Sequence, residues 1–368
     1  MTAGKINWTK ISAKPDPQHG APCSRSSHGL SISPDGSRVF LYGGEHVART
    51  PLEPSQSLWS CDCENNEWSW RNLSAAIGSS APSPRVAHAQ AIVNDRVYIF
   101  GGRSGISMNE SPLNDLWALD TSDGVGNEKW VGPIEPSTSS SSDEPPEHRS
   151  FHKMISVGTD LYVFGGCGSS GRLNDLHKFD TIHQTWSNLG KAHLLKGRGG
   201  ANLIYLKDGH CLIVVAGFVG SESNDGQKFI LSTEEEEKGT WDDSLLEGLD
   251  NLRPRSVCIS ASFHHDDAAT DDNVALIFGG EVNPSELGHE GAGGFENDLI
   301  LLDGKTGALK ETIKAAEEKN WPEPRGWSDG TSISTADKGR SLYLFGGLTG
   351  DDQNPKRLDD FWCCDIKM

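Results

Sequence analysis

The 368-residue chain predicts an all-β fold assembled from six repeated four-stranded units. Two observations carry this. Gly reaches 42 and Pro 18 while only 35% of residues are hydrophobic, which suits many short strands joined by tight turns. An apolar run closing on glycine also recurs six times. The runs are Val39-Phe-Leu-Tyr-Gly43-Gly44, Val97-Tyr-Ile-Phe-Gly101-Gly102, Leu161-Tyr-Val-Phe-Gly165-Gly166, Ile213-Val-Val-Ala216-Gly217, Ala275-Leu-Ile-Phe-Gly279-Gly280 and Leu342-Tyr-Leu-Phe-Gly346-Gly347. From 43 through 101, 165, 216, 279 to 346 the intervals are 58, 64, 51, 63 and 67 residues.

Each unit resolves into four elements in order. Strand a is led by an arginine: Arg25, Arg85, Arg149, Arg198, Arg255 and Arg325. Its regularity assigns it to structure, expected as hydrogen bonding between neighbouring units, and His at +3 (His28, His88, His152) shares that regularity. Strand b is the glycine-ended run. Strand c opens on an acidic or amide residue, as in Asn114-Asp-Leu-Trp117, Asn174-Asp-Leu-His177, Asn297-Asp-Leu299 and Asp359-Asp-Phe-Trp362. Strand d carries a tryptophan, at Trp68, Trp130, Trp186 and Trp241, with no obvious counterpart in unit five. Unit six ends just after its strand c, and Asn7-Trp8-Thr9 supplies the missing outer strand from the other terminus, leaving no free edge.

This grammar resembles the Kelch repeat, whose period of roughly 50 residues marks propeller blades. The resemblance implies one six-bladed propeller over 1–368, with blades near 25–75, 85–135, 149–190, 198–245, 255–315 and 325–368 plus 5–12. Pro136 to Pro146 and Thr233 to Lys238 are low in complexity and read as exposed loops.

Lys+Arg of 33 against Asp+Glu of 52 gives a net charge of −19, which repels phosphate backbones and argues against nucleic-acid or anionic-membrane partners. The polar start, Met1 to Trp8, contains no leader-like apolar core, and the longest apolar run, Cys211 to Val219, is only strand-length. Eight scattered cysteines without a C-x-x-C pair fit a reduced, cytoplasmic protein.

Antiparallel alternation puts the d–a and b–c loops on one face, called top, and the a–b and c–d loops on the other. His264-His-Asp-Asp267 and Glu234 to Glu237 therefore fall on the bottom and read as solvated loop charge. The top collects the residues that break the repeat. Glu45, Arg103 and Arg172 lie just beyond the glycines, Phe151, Phe218 and Trp327 can wall the mouth, and Glu281 to His289 forms a longer segment. Two arginines over aromatic walls suit a small anionic, partly apolar ligand, the bland alternative being surface ion pairing.

The order of motifs is similar to that of the plant specifier proteins: the epithiospecifier, nitrile-specifier and thiocyanate-forming proteins. The matching stretches are Arg25-Ser-Ser-His-Gly29, Phe100-Gly-Gly-Arg103, Arg149-Ser-Phe-His152, Gly171-Arg-Leu-Asn174, Arg198-Gly-Gly-Ala201, Arg255-Ser-Val257, Gly280-Glu-Val282 with Gly288-His289, and Pro324-Arg-Gly-Trp327. The resemblance implies diversion of unstable glucosinolate aglycones toward nitriles, epithionitriles or thiocyanates with ferrous iron. It places the sulfated aglycone at Arg103 and Arg172, beside Phe151 and Trp327. It places iron on Glu-x3-Asp-x3-His, of which Glu281 and His289 are kept while Ser285 replaces the aspartate and Glu286 stands next to it. A serine hydroxyl is a poor neutral ligand, so Fe(II) is expected to bind weakly, if at all, unless Glu286 substitutes. Two classes follow: a specifier-like lyase or isomerase acting on a small molecule, and a non-catalytic Kelch module that binds a protein. No nucleophile–base pair supports triad hydrolysis, and no Tyr-Cys and His-pair set supports a copper oxidase.

Overall fold

The computed structural model describes residues 5–74, 80–105, 111–137, 144–233, 238–263, 273–315, 320–335 and 339–367. The bottom-face charge runs at 264–267 and 234–237, and part of the Pro136–Pro146 stretch, lie outside them. Six antiparallel four-stranded sheets follow one another as the blades of a propeller. Blade 1 uses Gly29–Ile32, Arg38–Tyr42, Leu58–Glu64 and Glu67–Asn72. Blade 2 uses Ala89–Val93, Arg96–Gly102, Leu113–Asp120 and Lys129–Val131. Blade 3 uses Lys153–Val157, Asp160–Cys167, Arg172–Asp180 and Thr185–Lys191. Blade 4 follows with Asn202–Leu206, Cys211–Phe218, Glu222–Ile230 and Thr240–Leu245. Blade 5 uses Ile259–Phe263, Val274–Asn283, Gly294–Asp303 and Leu309–Ile313. Blade 6 takes Asp329–Thr335, Gly339–Gly350 and Pro355–Lys367, then closes on the N-terminal strand Lys5–Lys10, with Trp8 opposite Cys364.

Aromatic pairs hold five of the six seams. In five blades a strand-d tryptophan meets the aromatic residue just before the glycines of the preceding blade, and in blade 1 that tryptophan is Trp70 rather than Trp68. The pairs are Trp70 on Phe345, Trp130 on Tyr42, Trp186 on Phe100, Trp241 on Phe164 and Trp8 on Phe278, with centroids 4.8 to 6.0 Å apart. Unit five lacks its tryptophan for a matching reason. Its partner position in unit four is Val215, not an aromatic, and Leu246, Leu249, Ile277 and Leu302 fill that seam instead. Both halves of one aromatic pair are aliphatic at the same interface.

The leading arginines act differently from the expectation. Their guanidiniums are buried and bond within their own blade, each donating to the carbonyl at the first-glycine position of strand b: Gly43, Gly101, Gly165, Ala216, Gly279 and Gly346. Five also pair with a strand-c carboxylate, namely Asp115, Asp175, Asp225, Asp298 or Asp360. The crossing between blades is made by the arginine backbone. The N–H of the second glycine of one blade donates to the arginine carbonyl of the next at 2.8 to 3.0 Å, at all six seams. Any Cβ at Gly43 would stand 2.7 Å from the Arg85 carbonyl, so the glycine admits this approach.

Candidate functional site

Two rings of equivalent residues build the top of the channel. The first is the residue following each arginine by two: Ser27, Ala87, Phe151, Gly200, Val257 and Trp327. Each N–H donates to the carbonyl of the ring member in the preceding blade, and Ser27 N–H to Trp327 closes the circle at 2.8 Å. All six have φ between +49° and +60°, a left-handed conformation that costs a non-glycine residue about 1–2 kcal/mol. Phe151 and Trp327 thus project from fixed backbone on opposite blades, and their rings meet 5.4 Å apart across the channel.

The second ring is the residue after the strand-b glycines, bridged in every blade to the residue after the arginine. Its members are Glu45, Arg103, Cys167, Phe218, Glu281 and Leu348. Above Phe151 and Trp327 lies a cavity of about 320 Å³, lined by Arg103, Phe151, Arg172, Phe218, Glu281 and Trp327, among others. Of the five residues assigned to ligand binding at the top, Arg103, Phe151, Arg172 and Trp327 line this cavity, and Glu45 does not. Arg103 Nε donates to Ser150 Oγ at 3.0 Å, and the Arg172 guanidinium stacks 4.6 Å from the centre of Phe218.

Glu45 takes another role. It is 1% exposed and accepts from Ser26 Oγ, Ser27 Oγ and the Arg49 N–H. His289 Nε2 approaches its Oε1 to 3.0 Å and Arg357 Nη2 to 3.6 Å. Burial pushes its carboxyl up, but these partners, led by His289, hold it below the usual range. Glu45 anchors a strap rather than lining the cavity. The blade 5 segment between Asn283 and Gly294 crosses blade 6 and reaches blade 1, where Arg49 and Glu290 also pair at 3.7 Å. The His289 ring packs on Trp327 at 4.8 Å and Phe151 at 5.5 Å, roofing the channel.

The donors suggested for iron are dispersed in this arrangement. His289 is turned to Glu45, Ser285 Oγ donates to Asp352 Oδ1, and Glu286 is exposed with its N–H on Asp352. Glu281 is buried, and it is the backbone N–H of Ser285, not its hydroxyl, that reaches the carboxyl. Burial and the nearby Glu222 carboxylate raise it to about 7, against the pull of the Ser285 and Gly293 N–H groups. No cluster of three metal-ligating side chains forms among the described residues. The donor set so arranged does not fit Fe(II).

Sequence reasoning missed Cys167, Ser256 and Arg49, which also line the cavity. The signal for Cys167 was present: six otherwise repetitive units carry Glu, Arg, Cys, Phe, Glu and Leu at one register position.

The KLHDC2/KLHL20/DRC7 Kelch-repeats domain matches residues 3–141 and 129–267. An N-(sulfonatooxy)prop-2-enimidothioate sulfolyase of Thlaspi arvense is 25% identical, with 92% of each chain covered. A putative adagio-like protein 2 of Oryza sativa subsp. japonica is 26% identical over 95% of this chain and 50% of its own. The Drosophila melanogaster host cell factor is 29% identical over 60% of this chain, which spans only 16% of that protein. The solved structure of YjhT superposes with a TM-score of 0.63 at 16% identity, covering 93% of this chain and 95% of its own, and so shares the fold. No helix among the described residues is long and apolar enough to cross a membrane. With its matched domain covering well over half its length and six blades built on one grammar, the chain belongs to the Kelch-repeat family.

Proposed function

We propose that the protein binds a small anionic, sulfur-containing substrate at the top of its channel and diverts its breakdown toward nitrile, epithionitrile or thiocyanate-type products. One observation carries the reading: Arg103 and Arg172 stand in a single cavity with Phe151, Phe218 and Trp327. Guanidiniums in such a partly dry site hold an oxyanion far better than they do in water, and the aromatic walls cover an apolar body. The likeness to a sulfolyase over nearly the full length of both chains supports the same choice. In this reading the arginines fix the leaving anion, and Phe151 and Trp327 keep water from the reacting atoms.

The test is product analysis of allylglucosinolate cleaved by myrosinase with and without the protein. The expected result is a product mixture shifted from isothiocyanate toward nitrile or thiocyanate, lost in Arg103→Ala with Arg172→Ala. A mixture identical to that of myrosinase alone overturns the reading.

A second reading, a protein-binding Kelch module, draws on two apolar residues at the top rim. Val47 is 61% exposed and Leu287 58%, on the blade 1 and blade 5 loops that flank the roof. Val47→Asp with Leu287→Asp separates the two: it blocks a protein partner and leaves the product mixture as in the wild type.

A further inference from the structure

The cavity carries charge at both ends. Arg103 and Glu281 occupy the same register position in blades 2 and 5, which stand opposite one another in a ring of six. Phe151 and Trp327, on the other opposed pair of blades, form the floor between them. The arginine end is reinforced by Arg172. The other end holds Glu281, 6% exposed, and Glu222 behind it, which accepts from Ser256 Oγ at 3.2 Å.

These two carboxylates differ from Glu45, the equivalent residue of blade 1. Glu45 is matched by His289 and Arg357. Among the described residues, no ion-pair partner accompanies Glu281 or Glu222. Backbone N–H groups occupy lone pairs of Glu281 but supply no full positive charge. A buried carboxylate beside a second one is costly unless a proton or a cation joins it, and the open side of Glu281 is the cavity.

We propose that Glu281, backed by Glu222, is a cation-accepting subsite, so that among matched anions the cavity prefers a small zwitterion. Its anionic group is held at Arg103 and Arg172, its apolar body covers Phe151 and Trp327, and its protonated amine lies against Glu281. This rests on the anion-binding part of the function proposed above.

Calorimetric titration of the full chain tests it with 4-(aminomethyl)benzoate and 3-aminopropanesulfonate as zwitterions, and with 4-methylbenzoate and propanesulfonate as anions of matching body. At least one zwitterion is expected to bind tenfold or more tightly than its anion, about 1.4 kcal/mol. The ratio should fall to near one in Glu281→Gln and shrink in Glu222→Gln. Equal affinities in the wild type, or a ratio unchanged in Glu281→Gln, overturn the proposal while leaving the anion site standing. Anion affinities untouched by Arg103→Ala and Arg172→Ala, or no binding by any of the four probes, overturn the anion site and this proposal with it. Anaerobic titration with Fe(II) alone is a further arm. Binding that disappears in Glu281→Gln assigns the carboxyl to a metal and also overturns the cation subsite.

Discussion

Arg25 and Arg149 hold the same place in their blades but sit in different electrostatic surroundings. Arg149 meets Asp175 through both terminal nitrogens, at 2.9 and 3.0 Å. Among the described residues Arg25 meets no such carboxylate. It donates to the carbonyls of Cys23, Gly43 and Gln56, and burial lowers its guanidinium to about 10. Removing one partner of a buried pair costs about 3–5 kcal/mol when the other is left alone, and less for Asp175, which His177 Nε2 also meets at 2.9 Å, whereas stranded carbonyls cost about 1–3 each. Arg149→Met should therefore destabilise more than Arg25→Met, and Asp175→Asn should recover part of the loss in the Arg149 variant but not in the Arg25 one. Urea unfolding of the four variants checks this, and equal losses for the two arginines would mean the carboxylate adds nothing. At this scale the sequence was half legible. Six evenly placed arginines announced a structural role, but the direction of a guanidinium depends on the carboxylate of a strand some 26 to 43 residues further on. Glu45 misled for a related reason: its partners, His289 and Arg357, are more than 200 residues away and reach it only once the ring has closed.

Strands d show how a whole element is fixed by one side chain. Trp186 is 2% exposed and touches Phe100 of the preceding blade and Phe179 of its own. Truncating such an aromatic in a packed seam costs about 3–5 kcal/mol. Trp186→Ala should lie in that range, whereas Leu309→Ala, in the half-buried strand d of the aliphatic seam, should cost less, about 1–2 kcal/mol. Calorimetric melting of both variants decides it, and similar losses would show that the seams are equivalent despite their composition. Strand order was readable because glycine pairs and tryptophans punctuate the chain at nearly regular intervals. The strap from Asn283 to Gly294 was not. It has no period of its own, and its course over blade 6 is set by Glu45–His289 and Ser285–Asp352 contacts that no local pattern encodes.

The ring as a whole is closed three times over: by carbonyl bonds at the seams, by the left-handed circle around the channel, and by Lys153 of blade 3, whose Nζ meets Asp329 of blade 6 at 2.8 Å across it. Three channel-side imidazoles, His28, His88 and His152, are buried in this frame and kept neutral. Burial, then the adjacent arginine, lowers all three, His88 to about 3. Below the ordinary histidine pKa of about 6.5 the unfolded chain takes up protons that the native ring refuses. The histidine contribution to stability should thus be full above about pH 7. It should fall as pH drops through 6 toward 4, by up to about 1.4 kcal/mol per unit for each imidazole. A flat profile of urea midpoints between pH 7 and 5 would show that these rings accept protons in the folded state. Closure by the termini makes a sharper demand. Lys5–Lys10 pairs with residues 362–367 along its full length, and Trp8 is 3% exposed between Phe278 and Trp321. Deleting residues 1–12 removes that strand, opens the edge of Pro355–Lys367 and uncovers the blade 5–6 seam. Trp8→Ala leaves the strand and removes only the anchor. The truncation should therefore cost more than the point variant, and it should also promote association through the freed edge. Light scattering and melting of both proteins test this. A truncated chain that melts with the wild type and stays monomeric would mean the ring is held shut without its fourth outer strand.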